Sequence, residues 1–193
     1  MIIGITGGTG CGKTTLLNVI RDMGGTILDC DEIYHELLRT DTALLEAIEA
    51  RFPGTVENGV LQRKRLGAIV FADKQELKAL GRITGGAIRK EVMARLESAG
   101  SLVAIDAIGL FEGGYDKLCQ VTVAVTAPDE CRVQRLMQRD GITEEYARSR
   151  IAAQRPQAEF SALCDHTLLN DGTREDFRKK CLAFLAQLGI MKA

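Results

Sequence analysis

The first fifteen residues, MIIGITGGTGCGKTT, carry the clearest chemistry in the chain. An apolar run, Ile2 to Thr6, leads at once into Gly7-x-x-x-x-Gly12-Lys13-Thr14, a phosphate-binding loop of the Walker A type. A polyphosphate is held mainly by backbone N–H groups, which converge on it only where side chains do not intervene. Glycine gives that access and tolerates positive φ. Gly8, Thr9, Gly10, Cys11, Gly12, Lys13, Thr14 and Thr15 are therefore expected to bind a nucleotide. Lys13 would set a positive charge against the β- and γ-phosphates and Thr14 would offer a hydroxyl to Mg²⁺. The helix opening at Lys13 would turn its positive end toward the anion. Cys11 inside the loop reads as a small residue that fits, although a helix N-terminus can lower a thiol pKa.

Carboxylates follow at two later points. Ile27-Leu28-Asp29-Cys30-Asp31 ends an apolar run with two acids, at the strand edge where ligands sit in open α/β sheets. If the strand persists, residues 29 and 31 share a side, and Asp31 is the candidate base for an attacking hydroxyl. The same residue could instead cap the helix starting near Glu32. Asp106, after Leu102 to Ile105, stands where a Walker B carboxylate supports Mg²⁺. Asp106-x-x-Gly109 also mimics a GTPase motif, but no N-K-x-D segment is present to read guanine.

Between Cys131 and Arg155 every basic residue is arginine. Arg132, Arg135 and Arg139 are spaced i, i+3, i+7 along one helical face, with Val133, Leu136 and Met137 elsewhere. Arginine suits phosphate oxygens; a solvated face paired with Asp129, Glu130 and Asp140 is the alternative. The Gly141-Ile142-Thr143 break predicts a helix-turn-helix lid over 131–158, able to exclude water from phosphoryl transfer. Asn170-Asp171-Gly172 forms a turn in which Asn170 either packs on an adenine or serves the turn alone. His35 and His166 have no companions that would make a metal or catalytic set.

The elements that must position these groups alternate. Strand-like runs at Ile2 to Thr6, Thr26 to Asp29, Leu102 to Asp106, Val121 to Thr126 and Thr167 to Leu169 are separated by helical patterns. That order predicts an α/β fold, a five-stranded parallel sheet sandwiched by helices. Thr14 to Met23 reads as a helix stopped by Gly24-Gly25. From 32 to 99 no run is convincingly strand-like, and apolar spacings predict a helical insertion between the second and third strands, within a single domain spanning 1–193. Asp73 with Glu76 resembles a capping box, and Pro53-Gly54 and Asn58-Gly59 mark loops. A hydrophobic share of 46% and a formal charge of −1 give no reason to expect nucleic-acid or membrane partners. With no spanning segment or leader evident, the cytoplasm is the expected location. The six cysteines have no metal-site spacing and are expected to be reduced thiols.

Taken in order, these segments resemble the dephospho-CoA kinases, which transfer the γ-phosphoryl of ATP to the ribose 3′-hydroxyl of dephospho-CoA. The resemblance rests on Gly4 to Thr14, Leu28 to Ile33, Leu61-Gln62-Arg63 with Leu66 to Phe71, and Leu110-Phe111-Glu112. It continues through Arg135 and Arg139, Arg150-Ile151-Ala152-Ala153-Gln154, and Asp165 to Gly172. It implies a P-loop kinase fold using ATP and Mg²⁺, with Asp31 as base and Arg139 as a lid contact to ATP. It further implies Asn170 near the adenine and Arg63 near the acceptor. Two segments depart from the family's pattern: Gly85-Gly86 stands where the family usually has His-Pro, and Ile108-Gly109 where it has Pro-Leu. Both lie on the acceptor side, and glycines within a helix cost up to about 1 kcal/mol each. The alternatives are a P-loop kinase for another small alcohol or a nucleoside monophosphate, and a nucleotide-dependent switch. The arginine-rich lid and the missing N-K-x-D weigh against the switch.

Overall fold

The computed structural model describes residues 1–190. Its main sheet has five strands, β1 (Ile2–Thr6), β2 (Thr26–Asp29), β5 (Val103–Asp106), β6 (Val121–Thr126) and β7 (His166–Leu169), in the order β2-β5-β1-β6-β7. β1 runs parallel to both neighbours, with Ile5 opposite Asp106 on one side and Val123 on the other. The central strands IIGIT and VTVAVT are buried almost throughout, as expected where helices cover a parallel sheet. β7, at the edge, is mostly exposed. The expected strands and their boundaries agree with this sheet to within a residue.

The described residues separate into two compact units. The first comprises 1–28 and 99–190. In it α1 (Lys13–Asp22) packs against α9 (Arg174–Gln187). Ile3, Ile5, Leu16, Ile20, Val123, Val125, Phe177 and Leu185 form one core between these helices and β1 and β6. Each such buried aliphatic contributes about 2 kcal/mol. The Gly24-Gly25 stop acts as expected: Gly24 adopts φ 81° and Gly25 N–H returns to Ile20 O at 2.9 Å. α6 (Asp129–Asp140) ends at Gly141, φ 65°, and α7 (Glu144–Ala152) starts from Thr143, whose hydroxyl accepts from Tyr146 N–H. Val133, Leu136 and Ala147 clasp this helical pair, and α8 (Gln157–Leu163) follows it.

The second unit, Asp29–Ser98, gathers α2 (Cys30–Thr40), α3 (Thr42–Arg51) and α4 (Arg63–Val70) on the 25-residue helix α5 (Lys74–Ser98). The expected helical insertion also carries a short hairpin, in which β3 (Val56–Glu57) and β4 (Val60–Leu61) pair antiparallel, and the expectation of no strand between 32 and 99 is corrected to that extent. Asn58 and Gly59 take φ 51° and 74° between them, the left-handed pair that hairpin turns require. Two-residue strands are too short to show a period, so only the Asn-Gly turn signalled them. The capping box is also corrected: Asp73 accepts from Gln75 N–H at 2.7 Å, while the Glu76 carboxylate pairs with Arg51. Gly85 and Gly86 do not break α5, and a Cβ on either would meet nothing within 4 Å. Among the described residues no helix is long and apolar enough to cross a membrane.

Candidate active site

The phosphate loop joins β1 to α1, and three side chains hold its carbonyls from outside. Gly12 takes φ 95° at the helix start. A Cβ there would lie 2.2 Å from the Asn170 amide nitrogen, so glycine is needed for close approach as well as for its backbone conformation. Asn170 is buried; its Nδ2 donates to Cys11 O at 2.8 Å and its Oδ1 accepts from Arg135 at 3.1 Å. Arg135 also reaches Gly10 O at 3.3 Å. Arg132 donates from Nε to Thr9 O at 2.9 Å. Three successive loop carbonyls, those of Thr9, Gly10 and Cys11, are thus taken by side chains of α6 and of the turn after β7. In a trans peptide the carbonyl and the next N–H point in opposite directions. The loop amides of Gly10 and Gly12 accordingly face away from Arg132 and Asn170.

Lys13 sits at the first turn of α1. Its Nζ donates to Gly7 O at 3.0 Å and lies 4.0 Å from the Asp106 carboxylate at the end of β5. The expected lysine and Walker B acid therefore meet at one sheet edge, with Thr14 exposed beside them on α1. Thr14 and Asp106 offer hard oxygen donors, the chemistry that suits Mg²⁺. Among the described residues no three His, Cys, Asp or Glu side chains gather into a metal cluster. Such a donor set fits an ion that takes its remaining ligands from phosphate and water. Cys11 is fully buried, and burial pushes its thiol pKa up despite the nearby charges of Arg132 and Lys13. Its side chain fills space, and activation by the helix end does not prevail.

The arginine face divides by depth. Arg132 is 3% exposed and Arg135 half-buried, both turned to the loop. Arg139 is exposed and pairs with Asp140 at 2.6 Å; Arg150 reaches the same carboxylate. Together these arginines draw the Asp140 carboxyl down to about 2. Arg148 pairs with Glu130 and Glu144. The spacing thus identified the helical face, but not which of its members reach the loop.

Two glutamine contacts escaped the sequence reading. Gln154, in the R-I-x-x-Q segment, accepts from Thr9 N–H at 2.8 Å. Gln157 bonds both backbone groups of Ala127 and the Asp129 carboxylate. Their partners are up to 145 residues away, beyond any local pattern.

In the helical unit the expected shared side for residues 29 and 31 is corrected. β2 ends at Asp29, which caps α2 by accepting from Asp31 N–H at 2.9 Å and Glu32 N–H at 3.1 Å. Capping falls to Asp29, and Asp31 presents an exposed carboxylate on the first helical turn. Among the described residues that carboxylate takes no hydrogen bond. Arg63, Tyr34 and His35 line a cavity of about 200 Å³ with Leu38, Leu66 and Phe71. Burial raises the Tyr34 pKa.

This arrangement can hold a polyphosphate on backbone amides, charge-neutralise it with Lys13, and present oxygen donors to a divalent ion. The sequence profile of the dephospho-CoA kinases matches residues 1–176. The dephospho-CoA kinase of Geobacillus kaustophilus is 38% identical, the match covering 97% of this chain and 96% of that one. Among solved structures, TT1252 from Thermus thermophilus superposes with a TM-score of 0.81 at 35% identity, covering 97% of both chains. The dephospho-CoA kinase from Campylobacter jejuni gives a TM-score of 0.69 at 27% identity, covering 98% of both. The chain therefore belongs to the dephospho-CoA kinase family, ATP-dependent phosphotransferases that act on a hydroxyl of dephospho-CoA.

Proposed function

We propose that this kinase divides its chemistry between the phosphate loop and the start of α2, with the following residues in named roles. The observation that carries the reading is the outward binding of the Thr9, Gly10 and Cys11 carbonyls, together with Lys13 Nζ 4.0 Å from Asp106. Residues Gly8 to Thr15 cradle the ATP phosphates, and Lys13 offsets charge that grows on the transferring group. Asn170 supports the loop from behind, near the nucleotide it was expected to touch. Thr14 and Asp106 would hold a magnesium ion, which would supply charge neutralisation to the bound phosphates.

Asp31 accepts the proton of the attacking ribose 3′-hydroxyl, for which an exposed, uncommitted carboxylate is suited. Arg63, which lines the cavity with Tyr34, His35 and apolar side chains, binds the acceptor side of dephospho-CoA. Arg139 exchanges Asp140 for phosphate charge when the lid closes and water is excluded. The reaction is assigned to the cytoplasm.

The test is ADP release by purified protein with MgATP, comparing dephospho-CoA with shikimate, gluconate and nucleoside monophosphates, and weighing the product for one added phosphoryl group. Saturable turnover on dephospho-CoA alone supports the assignment. Turnover on another acceptor alone sends the search to Gly85-Gly86 and the Arg63 cavity.

A further inference from the structure

Thr9 has both of its backbone groups held by side chains from distant parts of the chain. Its N–H donates to Gln154 Oε1 at 2.8 Å, and its carbonyl accepts from Arg132 Nε at 2.9 Å. Arg132 Nη2 lies 3.5 Å from the same Gln154 oxygen, and Nη1 donates to Asp129 at 2.9 Å. The guanidinium is 3% exposed and so is shielded from exchanging these partners with water. A Cβ on residue 8 would stand 2.5 Å from Arg132 Nη2 and 3.1 Å from Gln154 Oε1. The second glycine of the loop therefore makes room for this clamp.

We propose that Arg132 is a positioning residue for phosphoryl transfer, acting on the nucleotide through Thr9 without touching it. With the Thr9 carbonyl turned to α6, the trans peptide directs the Gly10 N–H the opposite way. Gln154 holds the preceding peptide, so two consecutive peptide planes are set before any ligand arrives. A preorganised amide needs no reorientation when phosphate binds or when charge builds on it. Sequence spacing gives Arg132 the same standing as Arg135 and Arg139, and only its burial and its bond to Thr9 separate it from a lid contact. The inference rests on the reading that ATP is the phosphoryl donor.

The test compares Arg132→Met, Arg132→Lys and Arg132→Gln with the unaltered enzyme, by steady-state turnover and competition with ADP. Arg132→Met should raise the KM for MgATP and the inhibition constant for ADP about tenfold, the ratio that one hydrogen bond of ordinary net strength represents. The KM for dephospho-CoA should not move. Arg132→Gln, uncharged but able to donate to Thr9 O, should recover most of the loss, and exchange of the Gly10 amide proton should speed up in the Met variant alone. A folded Met variant with unchanged ATP and ADP constants would overturn the proposal. So would full rescue by Lys with none by Gln, which would assign the effect to charge. If the Met variant does not fold, the Gln and Lys variants still decide between orientation and charge. Failure of the ATP reading itself would look different, since the unaltered protein would then show no inhibition by ADP.

Discussion

Asn170 and Cys11, 159 residues apart, are joined by a 2.8 Å hydrogen bond from the Asn170 carboxamide to the Cys11 carbonyl, in space that only a glycine at position 12 leaves open. This bond ties the turn after the last strand to the phosphate loop after the first. Asn170→Leu removes the donor and leaves the buried Cys11 carbonyl with only a 3.5 Å contact from Arg135, at a cost of about 1–3 kcal/mol. Urea unfolding should show that loss, together with a higher KM for MgATP. A variant with wild-type stability would mean that Arg135 alone suffices to hold the loop.

Lys13→Ala should lower kcat by about 10²–10³, the range for removing one preorganised group that stabilises transition-state charge. Lys13 bonds only Gly7 O and approaches Asp106, so circular dichroism should be unchanged. Retention of more than a tenth of the wild-type rate would exclude Lys13 from the transition state.

Asp31→Asn should cut turnover by about 10²–10⁴, the usual contribution of a general base, while ATP affinity by titration calorimetry stays within twofold. The helix should be unaffected, because Asp29 supplies the cap. A substantial drop in melting temperature would point instead to a structural role for Asp31.

Gly85→Ala and Gly86→Ala should each stabilise the protein, by up to about 1 kcal/mol. Both residues lie inside α5, without positive φ, and an added Cβ would meet nothing within 4 Å. A raised urea midpoint with an unchanged dephospho-CoA KM would make the pair a tolerated variation. A raised KM would mean that the acceptor uses the open space.

Asp140, the last residue of α6, pairs with Arg139 beside it and with Arg150 of α7, and these partners hold its carboxyl at about 2, below the usual value of about 3.9. The depressed pKa means that the stabilisation is present above about pH 4 and disappears as pH falls through about 2. Asp140→Asn should therefore melt lower than wild type at pH 7, and the gap should close between pH 4 and pH 2. A gap that stays constant over that window would show that the ion pairs add nothing to the stability of the α6–α7 pair.

The phosphate loop, the five-stranded parallel sheet, the glycine stop of α1 and the pair of helices after β6 were legible in the sequence. Each is written in contiguous residues: a fixed glycine spacing, runs of β-branched residues, and glycine or threonine at a helix end. Lys13 and Asp106 were legible as candidates, one from the loop motif and the other from its place after an apolar strand, but it is the pairing of β5 with β1 that brings them within 4.0 Å. The tertiary structure alone decided that Arg132, Arg135 and Asn170 converge on three loop carbonyls, that Gln154 takes the Thr9 amide, and that Asp29 rather than Asp31 caps α2. Those outcomes depend on how deeply a helix face is buried and where a strand stops. Burial is set by packing between segments more than a hundred residues apart, and no local pattern of residues encodes it.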